Sequence, residues 1–462
     1  MADATDRAAP APTRSRARRR VVAALLTVIV VSAVVAGALV VTRDDDDPTV
    51  SQAGATVPST PESSVAATTT LIPTALTPTT TVAPSSTAPA NLGGDYAAVA
   101  PTRLIDTRTG LGATGGRPGK AQVVTASIVG LTGSSDVGRV KAVALNVTVA
   151  EPSQVGYLTV SAAGSRPFDV SQIAFVNATA SSLIVTRASA EGLVELRLSD
   201  GASGHLVVDL LGYFVSDGSA GRSSIIPESQ PVSLADSRTG APIAPGTTLD
   251  FTLPAPQVGA ILGITATGAQ GPGYLTVYGG STRPDTSAVN FGLRHDATAV
   301  SIVGTSADRA VHIFNGSASA VHIVVSQIAR LVDGAPSDAL ALNIEGTTAN
   351  DGRSAPFPFR AVDTRGTHTC PTDLGGGVSS INSIFPKAKA LLVSITVVNP
   401  SMASYLIAYT GSEKPPSVAT LNYDAGELRS NIALIPVSGD RVNIVCGGGN
   451  PEYILDVLAT LE

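Results

Sequence analysis

Residues 193–198 read LVELRL, and this stretch decides the fold class. The alternation puts Val194, Leu196 and Leu198 on one face and both charged side chains on the other, as in a half-buried β-strand. Most segments after residue 92 have the same period of two, in short runs between Gly, Pro, Asn and Ser turns. We find no convincing amphipathic helix in that part of the chain. The sequence therefore predicts an all-β, antiparallel fold.

The same series of segments occurs three times after residue 92. Each copy opens with an Asp-Thr-Arg or Asp-Ser-Arg triplet, at Asp106, Asp236 and Asp363, so the copies are 130 and 127 residues apart. Matching strand-like runs then follow in each copy: GYLTV at 156–160, GYLTV at 273–277 and SYLIA at 404–408, and finally LVVDL at 206–210, IVVSQ at 323–327 and ILDVL at 454–458. A repeat of this length is a whole domain. We expect three tandem antiparallel β-sandwich (jelly-roll-like) domains.

Five motifs of the first copy together resemble a repeat found many times over in exported actinobacterial surface proteins: RLIDTR at 103–108, LNVT at 145–148, GYLTV at 156–160, RPxxxS at 166–171 and VVDLLGYF at 207–214. The resemblance covers residues 94–215, 228–332 and 356–459, and it is most specific for the first copy. It implies display on the cell surface. Because this repeat has no established activity, the resemblance assigns no ligand and no catalytic residue.

Residues 21–42 form an uncharged, apolar run that is long enough to cross a bilayer as one helix. Five arginines lie within the seven residues before it. The positive-inside rule therefore predicts that residues 1–20 stay in the cytoplasm and that the rest of the chain is exported. A cleaved signal peptide is the alternative, since Ala36-Gly37-Ala38 has the small-x-small form of a cleavage site. Both interpretations place the repeats outside the membrane.

The stretch between the helix and the first copy is rich in Ser, Thr and Pro. Residues 48–91 contain seven prolines and one charged residue, Glu62, and such a sequence buries too little to fold. We therefore expect a disordered stalk. The predicted organisation is a basic cytoplasmic tail (1–20), a transmembrane helix (21–42), a disordered linker (43–92), copy 1 (93–216), copy 2 (225–333), a linker (334–355) and copy 3 (356–462).

Charge and motifs exclude several functional classes. The whole chain carries −6 and its first twenty residues carry +4, so the remainder carries −10. An acidic body of this kind argues against nucleic-acid binding. Five histidines and two cysteines offer little for a metal site, and the motifs of common hydrolases and nucleotide-binding enzymes are absent from the exported sequence. We predict no catalytic residue, no cofactor and no metal.

Acidic and basic residues recur at matched positions and form candidate structural ion pairs. Asp209 and Asp456 lie among apolar residues of the last strand, where a carboxylate needs a partner, and we expect Arg108 and Arg365 to supply it. The second copy has Ser326 at that place. Sugar binding by the triplets is the alternative. The full set of candidates is Asp106, Arg108, Asp209, Asp236, Arg238, Asp363, Arg365 and Asp456.

Tyrosines recur at one position of each copy, at Tyr157, Tyr274 and Tyr405. Repeated aromatic rings are candidate ligand contacts, because they offer stacking surfaces to sugars. Their place inside alternating strands favours core packing instead. A second matched set, Phe175, Phe291 and Tyr423, has the same two interpretations.

Cys370 and Cys446 are the only cysteines, and both lie in the third copy. An oxidising location outside the membrane favours a disulfide between them.

These observations favour a membrane-anchored, extracytoplasmic, non-catalytic surface protein that binds or spaces a cell-envelope polymer. Its partners are then the membrane, through residues 21–42, and a cell-wall polysaccharide or a surface protein, but no nucleic acid. A component of protein–protein adhesion or assembly is the first alternative. A cell-wall hydrolase whose site assembles only in space is the second.

Overall fold

The computed structural model describes residues 95–119, 122–130, 137–165, 170–215, 222–334, 336–366, 370, 381–411 and 414–462. All of them belong to one compact unit of the chain. The predicted tail (1–20), transmembrane helix (21–42) and linker (43–92) lie outside these ranges. Within them, no helix has the length and apolar character needed to cross a membrane.

The described residues form an all-β structure, which confirms the predicted fold class. Copy 1 contains β1 (Tyr96–Asp106), β2 (Val123–Ser127), β3 (Val140–Ala150), β4 (Gly156–Ala162), β5 (Ile173–Phe175), β6 (Ala180–Thr186), β7 (Leu193–Leu198) and β8 (His205–Val215). Copy 2 contains β9 (Ser223–Asp236), β10 (Thr248–Thr252), β11 (Gln257–Thr267), β12 (Gly273–Tyr278), β13 (Val289–Phe291), β14 (Ala297–Gly304), β15 (Ala310–Asn315) and β16 (His322–Asp333).

The remaining strands belong to the segment between copies 2 and 3 and to copy 3 itself. They are β17 (Leu342–Asn343), β18 (Gly346–Thr348), β19 (Ser354–Pro356), β20 (Phe359–Asp363), β21 (Ala390–Val398), β22 (Ser404–Thr410), β23 (Leu421–Tyr423), β24 (Leu428–Pro436), β25 (Val442–Cys446) and β26 (Glu452–Leu461). Short 3₁₀ turns occur at Val137–Arg139 and Ser237–Thr239, and one short helix, α1, spans Ile381–Ile384.

The strands of each copy are shared between two antiparallel sheets in the same order. In copy 1 the orders are β1-β8-β3-β6 and β2-β7-β4-β5. Copy 2 repeats them as β9-β16-β11-β14 and β10-β15-β12-β13. Copy 3 has β20-β26-β21-β24 and β25-β22-β23, so its second sheet has no counterpart of β2 among the described residues. We call the first sheet of each copy its inner sheet and the second its outer sheet. The inner sheets of copies 1 and 2 join where Tyr96 pairs with Ser223.

Each copy has an apolar core between its two sheets. In copy 1, β7 buries Val194, Leu196 and Leu198 against inner-sheet residues such as Leu145, as its alternation predicts. Copies 2 and 3 have equivalent cores. The core of copy 2 includes Leu262 of β11, and the core of copy 3 includes Val393 and Ile395 of β21. The period of two in the sequence therefore corresponds to the core-facing side of real strands.

A further apolar core lies where the three copies meet. The other faces of the inner sheets pack together there, and β6, β14 and β24 contact one another. Burial on both faces explains why β3 and β21 are almost continuously buried and apolar, unlike β7. This core includes Ala144, Leu183, Phe214, Ile261, Ile302, Leu331, Leu392, Leu434 and Leu458.

The three copies dock on one another in a closed cycle. The short three-residue strand of each copy rests on the inner sheet of another copy: β13 on β6, β23 on β14 and β5 on β24. Matched polar contacts support this arrangement. Ser181 Oγ donates to the Ala288 carbonyl (3.4 Å), Asn422 Nδ2 to Thr298 Oγ1 (2.6 Å) and the Ala174 N–H to Ser430 Oγ (2.8 Å). One interface of the same kind therefore occurs three times.

Part of the segment predicted as a linker at 334–355 packs into this assembly. Its strand β17 pairs with β26 at the end of copy 3. Leu342 and Ile344 are buried in the shared core, and the Leu342 carbonyl accepts a hydrogen bond from Lys141 of copy 1 (2.8 Å). This segment therefore helps to hold the copies together.

Candidate functional site

The Asp-Thr-Arg triplets form the same closed turn in each copy. Asp106 Oδ1 accepts a hydrogen bond from the backbone N–H of Arg108 (3.0 Å). Arg108 Nη2 donates a second one to Oδ2 of the same carboxylate (2.6 Å). Asp236–Arg238 and Asp363–Arg365 repeat this geometry, at 2.7 and 2.6 Å. These hydrogen bonds lower the pKa of Asp106 and Asp236, and they lower the pKa of Asp363 to about 2.

The middle residue of each triplet ties the first strand to the last. Thr107 Oγ1 accepts from the Leu206 N–H at the start of β8 (3.0 Å). Ser237 and Thr364 accept in the same way from the starts of β16 and β26, both at 2.8 Å. The triplets thus have a structural role in which each aspartate is already bound by its own arginine.

The buried aspartates Asp209 and Asp456 have partners other than the expected ones. Arg103 Nε lies 2.9 Å from Asp209 Oδ1, and Arg360 Nε lies 2.6 Å from Asp456 Oδ1. The expectation that Arg108 and Arg365 fill this role was wrong, because strand register places Arg103 opposite Asp209 and Arg360 opposite Asp456. The signal was present in the sequence, since an arginine stands three residues before the triplet aspartate in copies 1 and 3.

Burial dominates the electrostatics of these two carboxylates. It raises the pKa of Asp209 and of Asp456, and the paired arginine opposes part of that increase in each case. Both pairs lie on the inner-sheet face that meets the next copy. An unpaired charge at this place would destabilise the fold, so each aspartate requires its arginine as a partner.

A loop of a neighbouring copy covers each of these pairs. Over copy 1, Asp285 of copy 2 approaches Arg103 at 3.6 Å, and Asn146 Nδ2 donates to the carbonyl of Ser287. Over copy 3, Ser394 Oγ donates to the Ser171 carbonyl of copy 1 (3.1 Å). Ser394 is the counterpart of Asn146, because each is paired in register with the buried aspartate of its copy.

Copy 2 has small residues at all three of these positions. Ser233 pairs in register with Ser326, and Gly263 pairs with Ser326 on the other side. They stand where copy 1 has Arg103, Asp209 and Asn146. With the large side chains replaced, a groove opens between copies 2 and 3 beneath the loop at 414–420.

The inner pocket of this groove is narrow and mostly apolar. Its cavity volume is about 60 Å³, and no charged residue is among the described residues that line it. Two buried hydroxyls, Ser326 Oγ and Tyr409 Oη, have no hydrogen-bond partner in the described part of the chain. The lining includes Gly263, Thr298, Val300, Ser326, Ile328, Ala408, Tyr409, Val418, Thr420, Ile432 and Leu434.

The outer groove is wider and more polar. Its cavity volume is about 420 Å³, within the usual range for small-ligand sites of roughly 300–1,000 Å³. Ser326, Pro416, Val418 and Ala419 line both this groove and the inner pocket, so the two cavities adjoin one another. Hydroxyls, an amide, the self-paired Asp236–Arg238 turn and a second carboxylate, Asp296, line it together with Tyr405. The polar and charged lining includes Ser233, Asp236, Arg238, Thr265, Thr267, Asp296, Tyr405, Ser417 and Asn422.

The two sets of recurring aromatic residues differ in burial. Phe175, Phe291 and Tyr423 lie in the cores, as the core-packing interpretation expects. That interpretation is wrong for Tyr157 and Tyr405, which are 39% and 42% exposed. Tyr274 is half-buried, with its ring over Gly316. Of these three tyrosines, Tyr405 is the one that lines the groove.

One polar cluster beside the groove was missed in the sequence. His295 of copy 2 contacts Asp424 and Arg429 of copy 3, and Glu427 lies 3.7 Å from the same ring. The histidine and the two carboxylates have the spacing of metal ligands. However, Arg429 Nη1 touches His295 and also binds Glu427 (3.0 Å), so its positive charge opposes a cation there. We interpret the cluster as an ion-pair network between copies.

The predicted disulfide between Cys370 and Cys446 is formed, with 6.1 Å between the Cα atoms. Both residues are buried in the core of copy 3. The bond therefore stabilises that copy and lies apart from the lining of the groove.

The groove between copies 2 and 3 is thus the strongest candidate for a binding site in the described residues. Comparison of the sequence with models of known protein families and with curated proteins finds no match.

Proposed function

We propose that this chain is a membrane-anchored, extracytoplasmic, non-catalytic surface protein that binds a polysaccharide of the cell envelope. The observation that carries the proposal is the groove between copies 2 and 3. It combines an exposed tyrosine, several hydroxyls and an amide with three charged groups, Asp236, Arg238 and Asp296, whose charges sum to −1. Such a surface suits a neutral, hydroxyl-rich chain and does not favour a polyanion.

The proposal includes three tandem jelly-roll domains in the exported part. A jelly roll distributes eight strands between two sheets. Copies 1 and 2 have eight strands in the same alternating order, copy 3 has seven of them in the described residues, and each copy has a separate core. Residues 21–42 are the proposed anchor, and residues 43–92 the proposed stalk, by their sequence alone.

Two carboxylates line the groove, Asp236 and Asp296, and the non-catalytic role is supported by the state of the first. Asp236 is bound by Arg238, which lowers the pKa of the carboxylate. A general acid needs a carboxyl group with a raised pKa, so Asp236 is unsuited to that task.

Co-sedimentation of the full-length protein with purified, protein-free cell wall tests the proposal. We expect saturable binding with weak dependence on salt, because the lining carries little net charge. Tyr405→Ala should weaken binding by about tenfold, as expected for a central aromatic contact. Tyr157→Ala, an exposed tyrosine at the matched position of copy 1, is the control and should bind normally.

Failure of the wild-type protein to sediment with wall material would contradict the proposal. That result would favour the alternative hypothesis, a component of protein–protein adhesion or assembly. Crosslinking on intact cells would then identify the protein partner.

A further inference from the structure

The inner pocket contains two buried hydroxyls that need partners. Ser326 is 1% exposed and Tyr409 is 4% exposed, and neither hydroxyl makes a hydrogen bond within the described part of the chain. One comes from β16 of copy 2 and the other from β22 of copy 3. A buried polar group without a partner costs free energy, so a ligand that supplies the bond is favoured.

The rest of the pocket wall limits what this ligand group can be. Val300, Ile328, Val418 and Leu434 make the wall largely apolar, and the described lining includes no cationic side chain to hold a phosphate or a carboxylate. A volume of about 60 Å³ has room for about four to six atoms of the size of a water molecule, at about 10–15 Å³ each. The group must therefore be small and uncharged, with apolar carbon beside hydrogen-bonding atoms.

We infer that the inner pocket binds the acetamido group of an N-acetylated sugar. This group has four non-hydrogen atoms: its methyl suits the apolar wall, its carbonyl accepts a hydrogen bond and its N–H donates one. The sugar ring then lies in the outer groove against the exposed face of Tyr405. The inference rests on the proposed function and names the polymer class, an N-acetylated polysaccharide.

The contrast with copy 1 explains why this pocket occurs between copies 2 and 3. At the matched place in copy 1, the Arg103–Asp209 pair and Asn146 occupy the space, and their polar atoms are bound to one another or to the covering loop. Copy 2 has Ser326 and Gly263 there, and the Ser326 hydroxyl, which has no partner among the described residues, can hydrogen-bond a ligand. Restoring the larger pair in copy 2 should therefore close the pocket.

Two matched oligosaccharides test the inference by calorimetry with the full-length protein. One is a hexamer of β-1,4-linked N-acetylglucosamine. The other is cellohexaose, which is equally uncharged but has a hydroxyl in place of each acetamido group. We expect the acetylated hexamer to bind at least ten times more tightly.

Substitutions locate the acetamido group in the pocket. Ser326→Ala and Tyr409→Phe should each weaken binding of the acetylated hexamer by roughly 2- to 10-fold, the effect of one lost hydrogen bond. The double variant Ser233→Arg/Ser326→Asp should abolish it. Tyr278→Phe, at the matched position of β12 and outside the groove, is the control and should bind like the wild type. Melting temperatures identify any variant that fails to fold. If the double variant does not fold, the affinities of Ser326→Ala and Tyr409→Phe test the inference on their own.

Three outcomes would overturn the inference. Equal affinity for the two hexamers would remove the role of the acetamido group, and so would binding of neither while the protein still sediments with wall. Binding of an N-acetyl-lysine peptide without binding of the acetylated hexamer would assign the pocket to a protein ligand. Loss of wall binding altogether would instead contradict the proposed function.

Discussion

Copies 1 and 2 share strand order and turn geometry but differ at one face of the inner sheet. In copy 1, Arg103, Asp209 and Asn146 fill that face and bind the covering loop. In copy 2, Ser233 and Ser326 stand in the places of the arginine and the aspartate. The same scaffold therefore makes a polar, filled interface in one place and a groove in another.

The comparison shows that the charged pair and the small pair are alternative solutions for one position. An arginine without its aspartate, or the reverse, leaves an unpaired charge in a buried interface. Both members are therefore expected to change together, and in copy 2 both are serine. The change removes a structural contact and leaves a groove in its place.

The largest expected effect comes from breaking the pair in copy 1. Asp209→Ala leaves Arg103 without its main partner and should lower the free energy of unfolding by about 3 kcal/mol, measured by urea denaturation. Ser326→Ala at the matched position should change it by less than about 1 kcal/mol, since its hydroxyl has no partner in the described residues.

The double variant Arg103→Ser/Asp209→Ser is the control for this prediction, because it removes both charges as copy 2 does. It should recover part of the stability that Asp209→Ala loses. If Asp209→Ala unfolds at the same urea concentration as the wild type, the buried pair does not stabilise the fold.

A smaller effect distinguishes Asn146 from Gly263. Asn146→Ala loses the hydrogen bond to the Ser287 carbonyl and should cost about 1 kcal/mol. Gly263→Ala should stabilise the fold by about 0.5 kcal/mol, because a strand alanine loses less conformational entropy than glycine on folding. The closest atom to the added Cβ is Ile328 Cδ1, the flexible end of that side chain, at 3.3 Å, and the other neighbours lie at ordinary contact distance, 3.7 Å or more. Equal destabilisation by both substitutions in thermal melts would contradict the proposed difference between the interfaces.

The smallest effect is on the pH dependence of stability. The Arg365 hydrogen bonds lower the folded-state pKa of Asp363 to about 2, so its contribution is complete above pH of about 4 and is lost as pH falls through 2. Burial raises the folded-state pKa of Asp209, so the folded protein holds this proton more tightly than the unfolded chain does. The stability that comes from the bound proton is present below pH of about 4 and is lost as pH rises through the folded-state pKa.

We therefore expect Asp363→Asn and Asp209→Asn to change the pH dependence in opposite directions, in urea melts between pH 2 and 6. Asp236→Asn in copy 2 should resemble Asp363→Asn, because Arg238 lowers the pKa of Asp236. Parallel shifts for Asp363→Asn and Asp209→Asn would mean that burial does not govern Asp209.

Much of the fold could be predicted from the sequence, but only part of the candidate site. The strands follow from local alternation, as in 193–198, and the disulfide was predicted from two cysteines in a chain that is expected to be exported. Tyr405 was a candidate ligand contact because it recurs between copies, although core packing was favoured, and the structure places it in the lining of the groove. Ser326 was noted as a difference between copies without its meaning, because its partner Ser233 lies 93 positions away in the sequence.

The sequence by itself determined the strands, the three copies and the core-facing residues, because a period of two is a local property of the chain. Only the tertiary structure decided which arginine meets Asp209, since that depends on the register between strands about a hundred residues apart. It also decided that the copies close around a shared core and that Ser326 and Tyr409 face one pocket. Contacts between copies depend on how whole sheets pack, and no local pattern in the sequence records that.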